Sequence, residues 1–171
     1  MLCIDEQPYT VVKHGVITIR GVWGPLAWEE MQRAWERVMS DIVAHHLSGN
    51  ILDAVAYEVP GWAGQSGESR SGYGTSHNTR RMLAQAEALF GAVAAGYARR
   101  VMALDQAEVK LVITGQRRAD KTQVSLALEL RRQDGEWAAP EGENGTWSDH
   151  EVDSLSIALY AAALLRREAM T

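Results

Sequence analysis

Residues 61–79 read Gly-Trp-Ala-Gly-Gln-Ser-Gly-Glu-Ser-Arg-Ser-Gly-Tyr-Gly-Thr-Ser-His-Asn-Thr, with five glycines and four serines in one run. Glycine gives up the most backbone freedom when it is ordered. Serine draws the backbone into local hydrogen bonds that compete with helix and sheet. The run therefore excludes a regular element and predicts a flexible loop in the middle of the chain. Loops of this length inside a compact domain serve binding or catalysis, or stay disordered. Every helix and strand must be placed on one side of it or the other.

On the N-terminal side, residues 9–13 and 16–20 are β-rich runs about His14-Gly15, the spacing of a tight hairpin. Gly24-Pro25 stops the sheet and opens a helix, because proline suits the first helical position. Trp28, Met31, Trp35, Val38 and Ile42 recur at helical spacing and predict a helix over about 25–47, with Gly49 as its C-terminal cap. Residues 51–59 alternate in the manner of a strand ended by Pro60, with a short helix as the alternative.

On the C-terminal side, Leu83, Ala86, Val93, Tyr97, Val101 and Leu104 predict a helix over about 80–104, capped by Asn78 or Thr79. Ala84, Ala88, Ala92 and Ala95 form a small-residue stripe on it, suited to close approach by a neighbouring helix. Val109, Leu111 and Ile113 alternate, as do Val124, Leu126, Leu128 and Leu130, which predicts strands over 108–114 and 122–131. These would pair as an antiparallel hairpin across a polar, basic tip at 115–121. Residues 133–146, with Pro140, predict an irregular segment. Ser148 and Glu151 then make a capping box, flanked by Trp147 and Val152 as a hydrophobic staple. The final helix, about 148–168, is apolar on almost every side from Leu155 to Leu165, as in a helix buried centrally or covered by a partner. The order points to an α+β fold: a mostly antiparallel sheet built from hairpins and packed by three helices, about 25–47, 80–104 and 148–168.

A length of 171 residues, with 46% apolar and 23% charged side chains, suits a single α+β domain over 1–171. The lone Cys3 cannot form an internal disulfide, and the first residues are acidic where a secretory signal would be basic. The longest apolar run falls well short of a bilayer span. These features predict a cytoplasmic protein with no membrane contact. The net charge of −5 conceals an asymmetry: residues 1–60 net −4, residues 61–135 net +4 and residues 136–171 net −5. A basic middle between acidic flanks marks a patch for an anionic partner or, more plainly, segments that neutralise one another in the fold.

The candidate site residues fall into two groups. The first is the glycine–serine loop running into the second helix. Backbone amides at a helix start bind anions, and Arg70, Arg80 and Arg81 add charge there. Trp62 and Tyr73 offer faces on which bases could stack. The loop matches neither the Gly-x-x-x-x-Gly-Lys-Ser/Thr phosphate loop nor the dinucleotide fingerprint. His77, beside Ser71, Thr75 and Ser76, is the candidate general acid or base, with Asp53, Glu58 or Glu68 available to orient it, but no nucleophile elbow is present. The second group is the hairpin tip, Arg117, Arg118 and Lys121, with Arg131 and Arg132 at the far strand end. It reads as a patch for phosphates or as solvated edge charges that discourage aggregation.

Other residues carry less. Asp41 and His45 share a helix face beside His46, yet only two ligands are visible and no Cys-x-x-Cys or His-Glu-x-x-His motif accompanies them. Histidine at a helix C-terminus is favoured by the dipole, so no metal and no cofactor is expected. Trp23, Trp62, Trp137 and Trp147 fall in or beside predicted loops, where tryptophan favours a protein interface. Cys3 has no basic neighbour to activate its thiol.

Binding elements are thus visible and a complete catalytic set is not. The expectation is a small accessory or regulatory protein, of bacterial or phage style, that is not an enzyme. It would dock on a macromolecular partner, a protein in preference to a nucleic acid, through the 61–81 loop and the 115–121 tip. Its contact set would be Trp62, Arg70, Tyr73, His77, Arg80, Arg81, Arg117, Arg118 and Lys121. The apolar final helix would also suit a homodimer. The alternative is an enzyme that binds a small molecule or nucleotide phosphate, with the loop as lid, Arg80 and Arg81 as anion clamp and His77 as general acid or base. A further alternative is a nucleic-acid-binding accessory protein using the same basic groups.

Overall fold

In chain order, a computed structural model gives β1 (Ile4–Asp5), β2 (Tyr9–Val11), α1 (Pro25–His46), β3 (Val55–Val59), α2 (His77–Ala95), β4 (Val101–Asp105), α3 (Gln106–Thr114), α4 (Lys121–Gln133), β5 (Trp137–Ala138) and α5 (Asp149–Ala169). The structure describes residues 4–5, 9–11, 25–46, 51–59, 77–139 and 147–171. The second strand of the predicted N-terminal hairpin, most of the 61–79 loop and the middle of the 133–146 segment lie outside these residues.

Two aspartates decide the structure where sequence pattern and fold diverge most. The Asp105 carboxylate accepts from the backbone N–H groups of Ala107 at 2.8 Å and Glu108 at 3.1 Å, which starts α3. Gly115, at φ 77°, ends it and returns its N–H to the Leu111 carbonyl at 2.8 Å. Asp120 and Gln123 then form a reciprocal capping box, each bond 2.9 Å, which starts α4. Helices therefore stand where an antiparallel hairpin over 108–114 and 122–131 was expected. The physical reason lies in shared positions. Val109 with Ile113, and Val124 with Leu128, are four apart and buried, while Leu126 and Leu130 are 61% and 51% exposed. Residues four apart share a face in a helix and in a strand alike, so the alternation fits both, and the caps select the helix.

The predicted helix over 80–104 is corrected in the same way. α2 begins at His77 and stops at Ala95, where the Gly96 N–H turns back to the Val93 carbonyl at 3.0 Å. Glycine is about 1 kcal/mol worse than alanine inside a helix. Beyond it, Met102 and Leu104 are buried while Ala103 and Asp105 are exposed, the alternation of β4. The described residues hold five helices in a helix-rich α/β arrangement, not a mostly antiparallel sheet packed by three helices. The first and last predicted helices stand, as α1 and α5, and the strand reading of 51–59 holds as β3.

β1 pairs antiparallel with β2, with Asp5 opposite Thr10, and β5 joins β2 in parallel, with Trp137 opposite Tyr9. β3 and β4 make a two-stranded parallel sheet. Contacts divide the chain into two units. In the unit made of Met1–Val16, Ala56–Glu58 and Met102–Thr171, helices α3, α4 and α5 pack on one another and β1 lies beside α5. Leu155 and Leu159 of α5 are fully buried there, each contributing about 1.5–3 kcal/mol by leaving water. Trp137 is buried too, donates its indole N–H to the Leu128 carbonyl at 2.9 Å and meets Trp147 edge-on at 5.4 Å. Trp137 therefore belongs to the core, not to a protein interface.

In the unit made of Ile17–Val55 and Val59–Val101, α1 packs on α2. Met31, Met39 and Ile42 are buried, and Trp35 meets Phe90 edge-on at 4.8 Å. Ala88, Ala92 and Ala95 are exposed, so no described helix crosses the small-residue stripe. Among the described residues, no helix is long and apolar enough to cross a membrane.

Candidate functional site

A small cleft, with a cavity volume of about 10 Å³, opens within the first unit. β3 brings Glu58 to it, α3 brings Gln106, Val109 and Lys110, α4 brings Val124, and α5 brings Asp153, Ser156 and Ile157. α3 and α5 contribute at spacings of three and four, so each presents one face. Val109 and Val124 are buried and make the base of the cleft apolar. Ser156 is also buried, and its hydroxyl is occupied by donating to the Val152 carbonyl at 2.9 Å. The charged groups facing the cleft are Glu58, Lys110 and Asp153.

Their charges are unbalanced. Burial pushes the Glu58 carboxyl above its ordinary range, and the negative charges of Asp153 and Asp105 push it further, against the pull of Lys110. No described hydrogen bond or ion pair neutralises Glu58 or Asp153. A carboxylate held in this state has a raised affinity for a proton or a metal ion, a common condition at functional sites. Among the described residues, no group of three or more His, Cys, Asp or Glu side chains is placed to hold a metal ion. Glu58 and Asp153 do supply the donor chemistry Mg²⁺ prefers: it takes hard oxygen ligands and binds through one or two carboxylates, with water and substrate phosphate completing its shell.

At the first turns of the two helices that flank Val124 and Asp153, the charges are balanced. Lys121 Nζ lies 2.9 Å from Asp149 Oδ2, with both side chains mostly exposed. Their hydrogen bond holds the Lys121 ammonium above and the Asp149 carboxyl below their ordinary ranges.

The residues expected from sequence are placed as follows. Trp62, Arg70 and Tyr73 lie outside the described residues. His77 and Arg80 stand in the first turn of α2, and Arg81 follows them, exposed. Arg117 and Arg118 are exposed in the α3–α4 connection, and Lys121 opens α4. Arg131 and Arg132 do not join them as free cations. Arg131 donates to Glu136 at 2.8 Å and to the Val112 carbonyl at 2.7 Å, and Arg132 pairs with Glu129 at 3.6 Å. Of the cleft's own charged groups, Glu58 entered the sequence reading only as an orienting group for His77, and Lys110 and Asp153 did not enter it. One signal was available for Asp153: a carboxylate at the mouth of a run that is otherwise apolar on nearly every side.

No family model and no curated protein matches the chain. Among solved structures it is similar to Thermus thermophilus RuvC, with a TM-score of 0.61 and 20% identity, over 98% of this chain and 87% of that one. At that identity the likeness is one of fold. It overturns the expectation of a protein-docking regulator working through the 61–81 loop and the 115–121 tip. The tip itself is no hairpin end but a helix–helix connection, and its Lys121 is already engaged by Asp149.

Proposed function

We propose that this protein binds nucleic acid and that the Glu58–Asp153 cleft is where it hydrolyses a phosphodiester. One observation carries the reading. In a fold like that of RuvC, a nucleic-acid-cleaving enzyme, two carboxylates share a cleft with an apolar base and no described partner neutralises them. Stability alone gives no reason to keep such a pair, because like charges in a poorly hydrated place repel.

Each side chain has a part in this account. Glu58 and Asp153 would hold a divalent cation, which when bound supplies Lewis-acid polarisation of the phosphate and an activated water. Lys110, facing the same cleft, offers a compact positive charge to a non-bridging phosphate oxygen. Val109 and Val124 keep the base dry, which strengthens every electrostatic interaction above it. Arg117 and Arg118, exposed and in no ion pair among the described residues, contact neighbouring phosphates and so set position and not sequence preference.

The test uses duplex and four-way-junction DNA, the latter because RuvC is a Holliday junction resolvase. Binding that weakens steeply with salt, together with strand cutting that requires Mg²⁺ and is lost in Asp153→Asn, supports the reading. Absence of binding to either DNA at low salt overturns it.

A further inference from the structure

We infer that Asp149 is an internal stand-in for a phosphate: it occupies the Lys121 ammonium in the free protein and releases it when nucleic acid arrives. The inference rests on the nucleic-acid reading above and adds a gating contact to it. The Lys121–Asp149 pair, at 2.9 Å, joins the first turn of α4 to the first turn of α5. One turn further along those helices, Val124 and Asp153 line the cleft. The pair therefore stands beside the proposed cutting site, close enough for the Asp153 charge to act on Lys121.

The two partners differ in what else they can do. Lys121 follows the exposed Arg117 and Arg118 closely in sequence, so a phosphate strand crossing this connection meets three cations. Asp120 is engaged by the Gln123 N–H at 2.9 Å as the cap of α4, whereas the ion pair described for Lys121 is with Asp149. Asp149 has a favourable place at a helix start without Lys121, and His150 beside it also favours its charge. Both side chains of the pair are more than half exposed, at 57% and 68%. An ion pair this open is weak enough for a phosphate to replace it.

The experiment is a double-mutant cycle read by affinity for a short fluorescein-labelled DNA duplex in magnesium-free buffer, using wild type, Asp149→Asn, Lys121→Met and the double variant. Asp149→Asn should bind about 2- to 5-fold tighter than wild type, the range by which an exposed pair of this kind holds its partners. In the Lys121→Met background the same substitution should change affinity much less. Asp149→Glu, which keeps a carboxylate within reach, should bind as wild type does. Thermal melts of every variant identify any that do not fold, and Asp149→Glu against Lys121→Met then carries the comparison. An equal gain from Asp149→Asn in both backgrounds would show only general repulsion of the strand and would overturn the stand-in role. DNA binding by wild type with no effect of Asp149→Asn would overturn it as well. Loss of binding in every protein, wild type included, would instead overturn the nucleic-acid reading and this contact with it.

Discussion

Two pairs of charged side chains each take one member from α5, Asp149 and Asp153 one helical turn apart, and they are built on opposite principles. Asp149 is exposed and matched to a cation at 2.9 Å. Asp153 faces a half-enclosed cleft opposite another carboxylate, whose proton affinity is raised by burial and by Asp153 itself. The first arrangement is what surfaces do with charge at little cost or gain. The second opposes folding, and on the proposed function a divalent cation would complete it. The contrast teaches where to look in this molecule: function lies with the charges the fold leaves unmatched.

The sharpest way to break the contrast is to remove a charge from each pair and compare. Asp153→Asn should slow Mg²⁺-dependent DNA cutting by about 10²–10³-fold, the usual loss when one group stabilising the transition state is deleted. DNA affinity should change little. Lys121→Met should do the reverse, weakening binding and lowering the salt dependence by about one phosphate contact. Gel-shift and cleavage assays on the same preparations separate the two outcomes.

A smaller effect concerns a cation that looks functional in sequence and is structural in the fold. Arg131→Ala leaves Glu136 and the Val112 carbonyl without their donor. It should cost about 1–3 kcal/mol in urea unfolding and leave DNA affinity nearly unchanged. A marked loss of affinity in a variant of normal stability would return Arg131 to the binding surface.

Smaller again, and opposite in sign, is the effect of Glu58→Gln on stability. Glu58 titrates above its unfolded value. The folded state therefore binds the proton more tightly, and the stability linked to that proton is complete in acid and lost as pH rises through the folded value. Glu58→Gln should accordingly be more stable than wild type at neutral pH, by about 0.5–2 kcal/mol. That gain should fade on acidification, as thermal melts across the carboxylate range would record. The smallest effect belongs to the matched pair: Lys121→Met should leave the melting temperature nearly unmoved.

Much of the local structure was legible in the chain. The Ser148–Glu151 box starts α5 as read, with the Glu151 carboxylate accepting from the Ser148 N–H at 2.8 Å and from its hydroxyl at 2.7 Å. The same signature at Asp120–Gln123 forms no part of the sequence reading, which takes the alternation of Val124, Leu126, Leu128 and Leu130 as a strand. A short apolar run cannot be assigned by periodicity alone, and the exposed Leu126 and Leu130 show that half of the alternation carried no burial. The site was less legible for a different reason. Its charged residues come from β3, α3 and α5, and only the packing of α3 on α5 brings Lys110 and Asp153 to one cleft. Basic residues clustered in sequence were easier to see, and the fold engages Lys121, Arg131 and Arg132 in ion pairs.

The most direct test of the unmatched carboxylates needs no DNA. Thermal unfolding of wild type, Glu58→Gln and Asp153→Asn is followed as MgCl₂ is added at constant ionic strength. A ligand that binds only the folded state raises its stability. Wild type should therefore gain melting temperature with Mg²⁺, while each variant, already relieved of part of the repulsion, should gain little. Equal Mg²⁺ shifts in all three proteins, or none in wild type, would contradict the claim that Glu58 and Asp153 are held open for a cation.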